Sequence, residues 1–196
     1  VLNSPREDVV QKSIEDIEYQ AEVAEWVGAD VINIHAGGAY GDKASSLKVL
    51  ERNLDRLSVN ARILLTLEND DRTYTPSDLA PVCLAAGVPL VYDVHHHRCL
   101  PDGLSVQQAT EAALDTWNRE PLFHISSPRL GWDSRERRQH HDYISIADFP
   151  AAWREREITV EVEAKAKELA VLKLRDDLAN LGLRRPRKKR NATVTI

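Results

Sequence analysis

Methionine is absent from all 196 residues, and the chain opens at Val1. Without an initiator, and with an opening that reads as the run-in to a helix, the chain is expected to be an N-terminally truncated portion of a longer protein. Processing of an intact N-terminus is the plainer alternative. Cysteine is nearly absent as well: Cys83 and Cys99 are the only two. Two cysteines make no disulfide framework, and they fit a reducing cytoplasm or two small buried side chains. No run of about 18 apolar residues occurs, so no membrane span is expected. No secretory signal opens the chain.

What is present points to a globular domain with a charged appendage. The chain is 42% hydrophobic, enough at this length to bury the core of one domain. Arg184, Arg185, Arg187, Lys188, Lys189 and Arg190 concentrate positive charge near the end. Removing those six charges from the net of −5 leaves −11 for the remainder. An acidic body with a basic tail suits a nucleic-acid partner, and a solubilising tail fits the charge equally well. Periodicity fades past Leu183, so the expected division is a domain over 1–180 and a basic, disordered tail over 181–196.

Along the domain, helical and extended patterns alternate. Ser4-Pro5-Arg6-Glu7 reads as a capped helix start, followed by Val10, Ile14, Ile17, Ala21 and Ala24 on one face up to Gly28. Val31 to His35 reads as a strand, Ser46 to Leu57 as a helix and Ile63 to Glu68 as a strand. Thr75-Pro76-Ser77-Asp78 opens another helix, which Gly87 closes. Pro89 to Asp93 is a strand, Ser105 caps a helix to about Asn118, and Leu122 to Ser126 is a strand. Phe149 to Arg156 is a short helix, Ile158 to Val162 a strand, and Glu163 to about Asn180 the last helix. Five strands separated by helices, at a repeat of roughly 30 residues, predict parallel strands with right-handed crossovers. Apolar runs such as Ile63-Leu64-Leu65 predict strands buried on both faces. A closed barrel and an open doubly wound sheet both fit. Gly37-Gly38-Ala39-Tyr40-Gly41 has the wrong spacing for a dinucleotide loop.

In a parallel barrel, chemistry sits at the carboxyl ends of the strands. The expected strands end in His35, in Glu68-Asn69-Asp70, in Asp93-Val94-His95-His96-His97, in His124-Ile125-Ser126, and in Glu163-Ala164-Lys165. The loop Gln139-His140-His141-Asp142-Tyr143 precedes the last strand. All seven histidines fall at strand ends or in this loop. Any single strand-end histidine is more often structural, but imidazole or carboxylate at every strand end argues for a divalent-metal site. The donor set suits Mn²⁺, Zn²⁺, Fe²⁺ or Co²⁺ and needs no thiolate. It exceeds one tetrahedral ion, so two or three ions are expected. Such clusters bind phosphoryl oxygens and generate hydroxide from water. On the third strand, Asp93 and His95 share a face if the strand continues. If it breaks after Asp93, His96 can swing back instead.

These residues resemble a known family. The pieces that carry the resemblance are Val1-Leu2-Asn3-Ser4-Pro5, His35-Ala36-Gly37-Gly38 with Tyr40-Gly41-Asp42-Lys43, Leu67-Glu68-Asn69-Asp70, and Asp93-Val94-His95-His96. They continue with His124-Ile125-Ser126-Ser127-Pro128, His140-His141-Asp142-Tyr143-Ile144, and Glu163-Ala164-Lys165-Ala166-Lys167-Glu168. In this order they look like the UV damage endonuclease (UvdE) family over about 1–180.

The resemblance implies an α/β (β/α)8 TIM barrel, of which this chain holds about five βα units. It implies hydrolysis of the backbone of double-stranded DNA on the 5′ side of a UV photoproduct. The implied ligands are His35, Glu68, Asp93, His96, His124, His140 and Glu163, with Glu68, His96 and Glu163 as catalytic residues. The implied ions are Mn²⁺ first, with Zn²⁺, Co²⁺ or Mg²⁺ as substitutes. Lys43, Arg129, Arg135, Arg137, Arg138 and Lys165 are expected to contact DNA; as plain surface charges they need no such role. A cytoplasmic location, nucleoid-associated on DNA, and no protein partner are expected. A further histidine ligand and the DNA-probing residues are implied upstream of Val1. One position departs: Leu122 stands where family members can carry a lysine near the metals, and leucine cannot ligate a metal. An abasic-site endonuclease, a sugar isomerase on the same barrel, and an inactive fragment are the rival readings.

Overall fold

The structure, a computed structural model, describes residues 1–182; most of the expected basic tail lies outside the described residues. Five strands form one parallel sheet in the order β1-β2-β3-β4-β5. They are β1 (Ile32–His35), β2 (Leu65–Glu68), β3 (Leu90–Asp93), β4 (Leu122–Ile125) and β5 (Thr159–Val162). A doubly wound sheet reverses its strand order at a switch point. This order runs straight through, as consecutive staves of a barrel do, and it brings every strand's carboxyl end to the same rim.

The helices are α1 (Glu7–Val27), α2 (Lys43–Leu54), α3 (Val59–Leu64), α4 (Pro76–Ala86), α5 (Val94–Cys99), α6 (Val106–Leu114) and α7 (Glu168–Asn180). The expected apolar face of α1 is the buried one. Thr75 and Asp78 form the expected capping box of α4, and Gly87 ends that helix in the left-handed region at φ 65°. β2 and β3 are buried along their whole length, as the apolar runs predict, whereas the outer strands β1 and β5 are only partly buried.

Several boundaries differ from expectation, each for a local reason. Ser4 does not cap α1: its Oγ accepts the Arg6 N–H at 3.1 Å, and the helix starts at Glu7. The preceding residues are tied elsewhere. Asn53 Nδ2 donates to the Leu2 carbonyl at 2.7 Å, and Asn3 Nδ2 donates to the Gly38 carbonyl at 2.7 Å and to Tyr74 Oη at 3.0 Å. Gly37, at φ +96°, lies so close that a Cβ there would run into Asn3 and Val1. The segment Ile63-Leu64 is helical, not extended. Ser58 caps α3 by accepting the Ala61 N–H, and Ile63 is 60% exposed. A short apolar run does not by itself distinguish a strand from a helix.

α6 stops at Leu114 because the next residues serve β3. Thr116 Oγ1 accepts the Leu90 N–H at 2.8 Å, and Trp117 Nε1 donates to the Leu90 carbonyl at 2.7 Å. Of the expected helix over 149–156 only the 3-10 turn Ala151–Trp153 forms, after Pro150, and a separate turn, Ile146–Asp148, precedes it. α7 begins at Glu168, which leaves 163–167 as a loop on the rim.

Candidate metal centre

Each strand delivers its side chain to the rim for a reason visible in the backbone. His35 and Glu68 are register partners at the ends of β1 and β2. Asp93 and His124 are register partners on β3 and β4. Glu163 follows directly after β5, and its N–H donates to the Ile125 carbonyl at 2.9 Å. The strand-three ambiguity has a structural answer: β3 stops at Asp93 and α5 begins at once. Asp93 caps that helix, accepting the His96 N–H at 2.8 Å, and one helical turn returns the His96 ring to the rim.

Glu68 is the hub. Its Oε2 is 3.3 Å from His35 Nε2, and its Oε1 is 3.3 Å from both His96 Nδ1 and His124 Nδ1. His96 Nδ1 also lies 3.4 Å from Asp93 Oδ2. Glu163 reaches His124 Nδ1 at 3.4 Å and His140 Nδ1 at 3.8 Å. Three donor groups result, with ligand atoms within 4.8 Å of one another: His35, Glu68 and His96; His96, His140 and Glu163; and Glu68, Asp93, His124 and Glu163. The seven positions singled out from sequence are thus brought together, and Glu68, His96 and Glu163 each belong to two groups.

Cation binding fits the state of the donor atoms. Glu68 Oε1, Asp93 Oδ2 and both ring nitrogens of His124 are buried without a hydrogen-bond partner. Buried polar atoms are ordinarily bonded, and an unpaired one costs about 1–3 kcal/mol. Lone pairs of oxygen and nitrogen converging without protein donors suit a divalent ion, and these groups of His, Asp and Glu can hold one. Cys83 and Cys99 are buried and belong to none of the groups.

Protons compete for the same atoms. Burial opposes charge on Glu68, yet the imidazoles of His124, His35 and His96 hold its carboxyl far below the usual range. Burial likewise opposes charge on His96 and His124. The facing carboxylates of Glu68 and Asp93 nonetheless push His96 up to about 9, and those of Glu163 and Glu68 push His124 up to about 10. Burial raises Asp93, which lies entirely inside.

Neutral amides hold the hub in place; the sequence patterns did not mark Asn33, and they placed Asn69 at a strand end without a role. Asn33 Nδ2 donates to Glu68 Oε2 at 2.5 Å, and Asn33 Oδ1 accepts from Thr66 Oγ1 at 3.0 Å. Asn69 clasps the backbone of Asp93 from both sides, donating to its carbonyl and accepting its N–H, each at 2.9 Å. The place of Asn33, two residues before His35 on one strand face, was the available signal for its role.

His95 and His141 point elsewhere. The His95 ring is buried 5.2 Å from the rings of both Trp132 and His140, and burial pushes its pKa down to about 4. It packs as a neutral wedge. His141 is exposed, and its Nδ1 accepts the Tyr143 N–H at 2.9 Å. Trp132, also missed from sequence, donates to Asp148 Oδ1 at 2.8 Å, and Ser127 Oγ donates to Asp148 Oδ2 at 2.5 Å.

The basic residues divide. A groove of about 700 Å³ runs beside the centre, lined by Arg138, His140, Glu163, Lys165 and Lys167 among others. Lys167 was not singled out from sequence. Arg138 is also held by Asp71, at 3.0 Å from Nε to Oδ2. Arg129, Arg135 and Arg137 are exposed on the loop before His140. Lys43 sits apart from the groove, 2.8 Å from Asp78 Oδ2. Leu122 shares a strand face with His124, two residues on, and offers it no polar atom.

Known proteins resemble this chain in sequence and in fold. UV DNA damage endonucleases of Bacillus cereus strain G9842 and Bacillus velezensis are 31% and 34% identical, over 94% and 91% of this chain. The UV-damage endonuclease of Neurospora crassa is 36% identical over 88% of this chain. The chain spans 61%, 59% and 29% of those relatives' own lengths. The crystal structure of SacUVDE superposes with a TM-score of 0.84 at 30% identity, covering 94% of this chain and 63% of that one. A 3-keto-D-glucoside 4-epimerase from E. coli superposes at 0.63 with 16% identity, covering 92% of this chain and 74% of that one, a likeness of fold alone. The family model described as UV-endonuclease UvdE matches residues 1–189, and the chain belongs to that family.

Proposed function

We propose that this chain carries the metal centre of a DNA repair endonuclease that hydrolyses the phosphodiester bond 5′ to a UV photoproduct in double-stranded DNA, initiating excision repair. The observation that carries this reading is the overlap of three donor groups through Glu68, His96 and Glu163. Shared ligands favour a cluster of two or three divalent ions, Mn²⁺ first, with Zn²⁺, Co²⁺ or Mg²⁺ as substitutes. When bound, such ions supply positive charge to phosphate oxygens and a hydroxide nucleophile at neutral pH.

The chain's own residues supply the rest. His35, Asp93, His124 and His140 hold the periphery of the cluster. Glu68, His96 and Glu163, common to two groups each, stand nearest the reacting atoms and act as the catalytic residues. Asn33 and Asn69 keep Glu68 and Asp93 from swinging toward solvent. Arg138, Lys165 and Lys167 steer the DNA backbone along the groove beside His140 and Glu163, and Arg129, Arg135 and Arg137 extend that track. Lys43, paired with Asp78, contributes charge at longer range. Reaching the lesion requires its bases to leave the stack, which a distorted duplex permits more cheaply. An enzyme with this task acts in the cytoplasm, on the chromosome. Among the described residues no helix is long and apolar enough to cross a membrane.

The test is nicking of supercoiled plasmid by the purified chain. Irradiated plasmid is expected to be nicked with Mn²⁺, and neither unirradiated plasmid nor an EDTA-treated reaction should be. Equal nicking of irradiated and unirradiated DNA would sink the proposal. A plasmid carrying abasic sites and a sugar panel separate the abasic-site and isomerase readings. A cooperative melt with bound metal counts against an inactive fragment.

A further inference from the structure

One carboxylate beside the centre belongs to none of the three donor groups. Glu161 lies on β5, two residues before Glu163, so the two side chains leave the same face of the strand. Glu161 is also the register partner of His124 on β4. The two sides of the His124 ring therefore meet different acids. Nδ1 faces Glu68 and Glu163 at 3.3 and 3.4 Å, and Nε2 faces Glu161 Oε2 at 3.5 Å.

This division has a chemical consequence. A neutral imidazole that ligates through Nδ1 carries its proton on Nε2. His124 Nε2 is buried, so water does not serve it, and no hydrogen-bond acceptor meets it. Glu161 is the one carboxylate within ion-pair distance of that nitrogen among the described residues. Its own side chain is 58% exposed, so it reaches the buried ring from the solvent side. Leu122, on the same face, has no polar atom to offer in its place.

Resting on the metal-centre reading, we propose that Glu161 is the positioning residue of this centre: by accepting a hydrogen bond from the Nε2–H of His124, it fixes the tautomer and ring orientation that leave Nδ1 free to ligate. Carboxylates behind ligating histidines act in this way in metal proteins, and removing one typically lowers metal affinity about 10–100-fold.

Glu161→Ala and Glu161→Gln separate this role from general packing. Mn²⁺ and Zn²⁺ affinity of the full chain is measured by titration calorimetry, and the melting temperature is measured in chelator. Glu161→Ala is expected to lose about 10–100-fold in affinity with an unchanged melt in chelator. Glu161→Gln, whose amide oxygen still accepts a hydrogen bond, is expected to stay within about fivefold of the parent. In the Zn²⁺-loaded parent, ¹⁵N spectra should report His124 protonated at Nε2, and that signature should broaden or switch in Glu161→Ala. A parent that binds both ions while Glu161→Ala binds them equally well would overturn the assignment of Glu161 alone. Equal losses in the Ala and Gln variants would overturn it too. A parent that binds neither ion would overturn the metal-centre reading, and this proposal with it.

Discussion

His96 and His97 are neighbours on α5, and both face carboxylates, yet they belong to opposite kinds of cluster. His97 is a buried link in a closed chain. Tyr92 Oη lies 2.7 Å from its Nδ1, and Asp102 Oδ1 lies 2.9 Å from its Nε2. Asp102 in turn accepts backbone N–H groups from Ser77 and Leu104, each at 2.9 Å. Both ring nitrogens of His97 are satisfied, so the cluster has no room for a ligand. One residue earlier, His96 opens onto Glu68 Oε1 and Asp93 Oδ2, buried atoms with no hydrogen-bond partner. The contrast shows that histidine and carboxylate together do not mark a binding site. What marks it is several buried lone pairs of acids and imidazoles that converge on one another and that the protein itself leaves unpaired.

The sharpest way to break this comparison is to remove the hub. Glu68→Ala is expected to lower Mn²⁺ affinity beyond the ~100-fold typical of changes behind the ligands. It should also cost about 1–3 kcal/mol of stability in chelator at neutral pH, because Asn33 Nδ2 and the imidazoles of His96 and His124 lose the carboxylate they face. Calorimetry and thermal unfolding read both quantities. Undiminished affinity would mean that the donor groups hold no ion. Asp102→Ala should cost stability alone. It strands His97 Nε2 and two backbone N–H groups, a loss of about 3 kcal/mol or more, while metal affinity per folded molecule stays within a few-fold. Urea unfolding measures it, and a loss under 1 kcal/mol would argue that the chain through His97 is not a brace.

The third prediction concerns pH. His96 and His124 are raised to about 9 and about 10, from an ordinary value of 6.5. Groups raised on folding contribute stability that is full below pH 6.5 and is lost as pH climbs through their folded values. In chelator, their contribution should therefore fall between pH 6.5 and 10. With saturating Zn²⁺ the trend should reverse, since ligation takes the neutral ring and proton competition fades with rising pH. Melting curves in chelator that stay flat over that range would remove the basis for this expectation. The smallest effect is a control on the frame around both clusters: Ile63→Glu, on the exposed side of α3, should change stability by no more than about 0.5 kcal/mol. A loss of several kcal/mol would indicate a buried strand there instead.

The legible part of the site was the part written in residue type and strand period. His35, Glu68, His124 and Glu163 stand at or beside strand ends that alternation and turn residues predict, and their convergence follows from parallel strands sharing one rim. The choice between His95 and His96 was not legible from pattern alone, because it turns on whether the chain coils immediately after Asp93. That depends on Asp93 acting as a helix cap while also facing the centre. Ile63-Leu64 misled because six residues of helix and six of strand look alike when both are apolar. The roles of Asn33, Asn69 and Trp132 were not legible for another reason: their partners lie far away in sequence or on the backbone, so position on a strand or in a motif does not show what they bond.

The straight strand order has one more consequence, for the chain as a polymer. The ligands arrive one unit at a time, and the group of Glu68, Asp93, His124 and Glu163 draws on four successive strands or their ends. An ion held there would tie residue 68 to residue 163, cross-linking a loop of about half the chain. By the chain-entropy measure used for covalent cross-links, closing a loop of that order removes about 4–5 kcal/mol of freedom from the unfolded state. Parallel pairings between distant segments form slowly, since each closes a long loop before any contact repays it. The ions would thus act as a late clasp, gripping the sheet only after β5 has joined it, so that the chemistry becomes available only in chains that have finished folding.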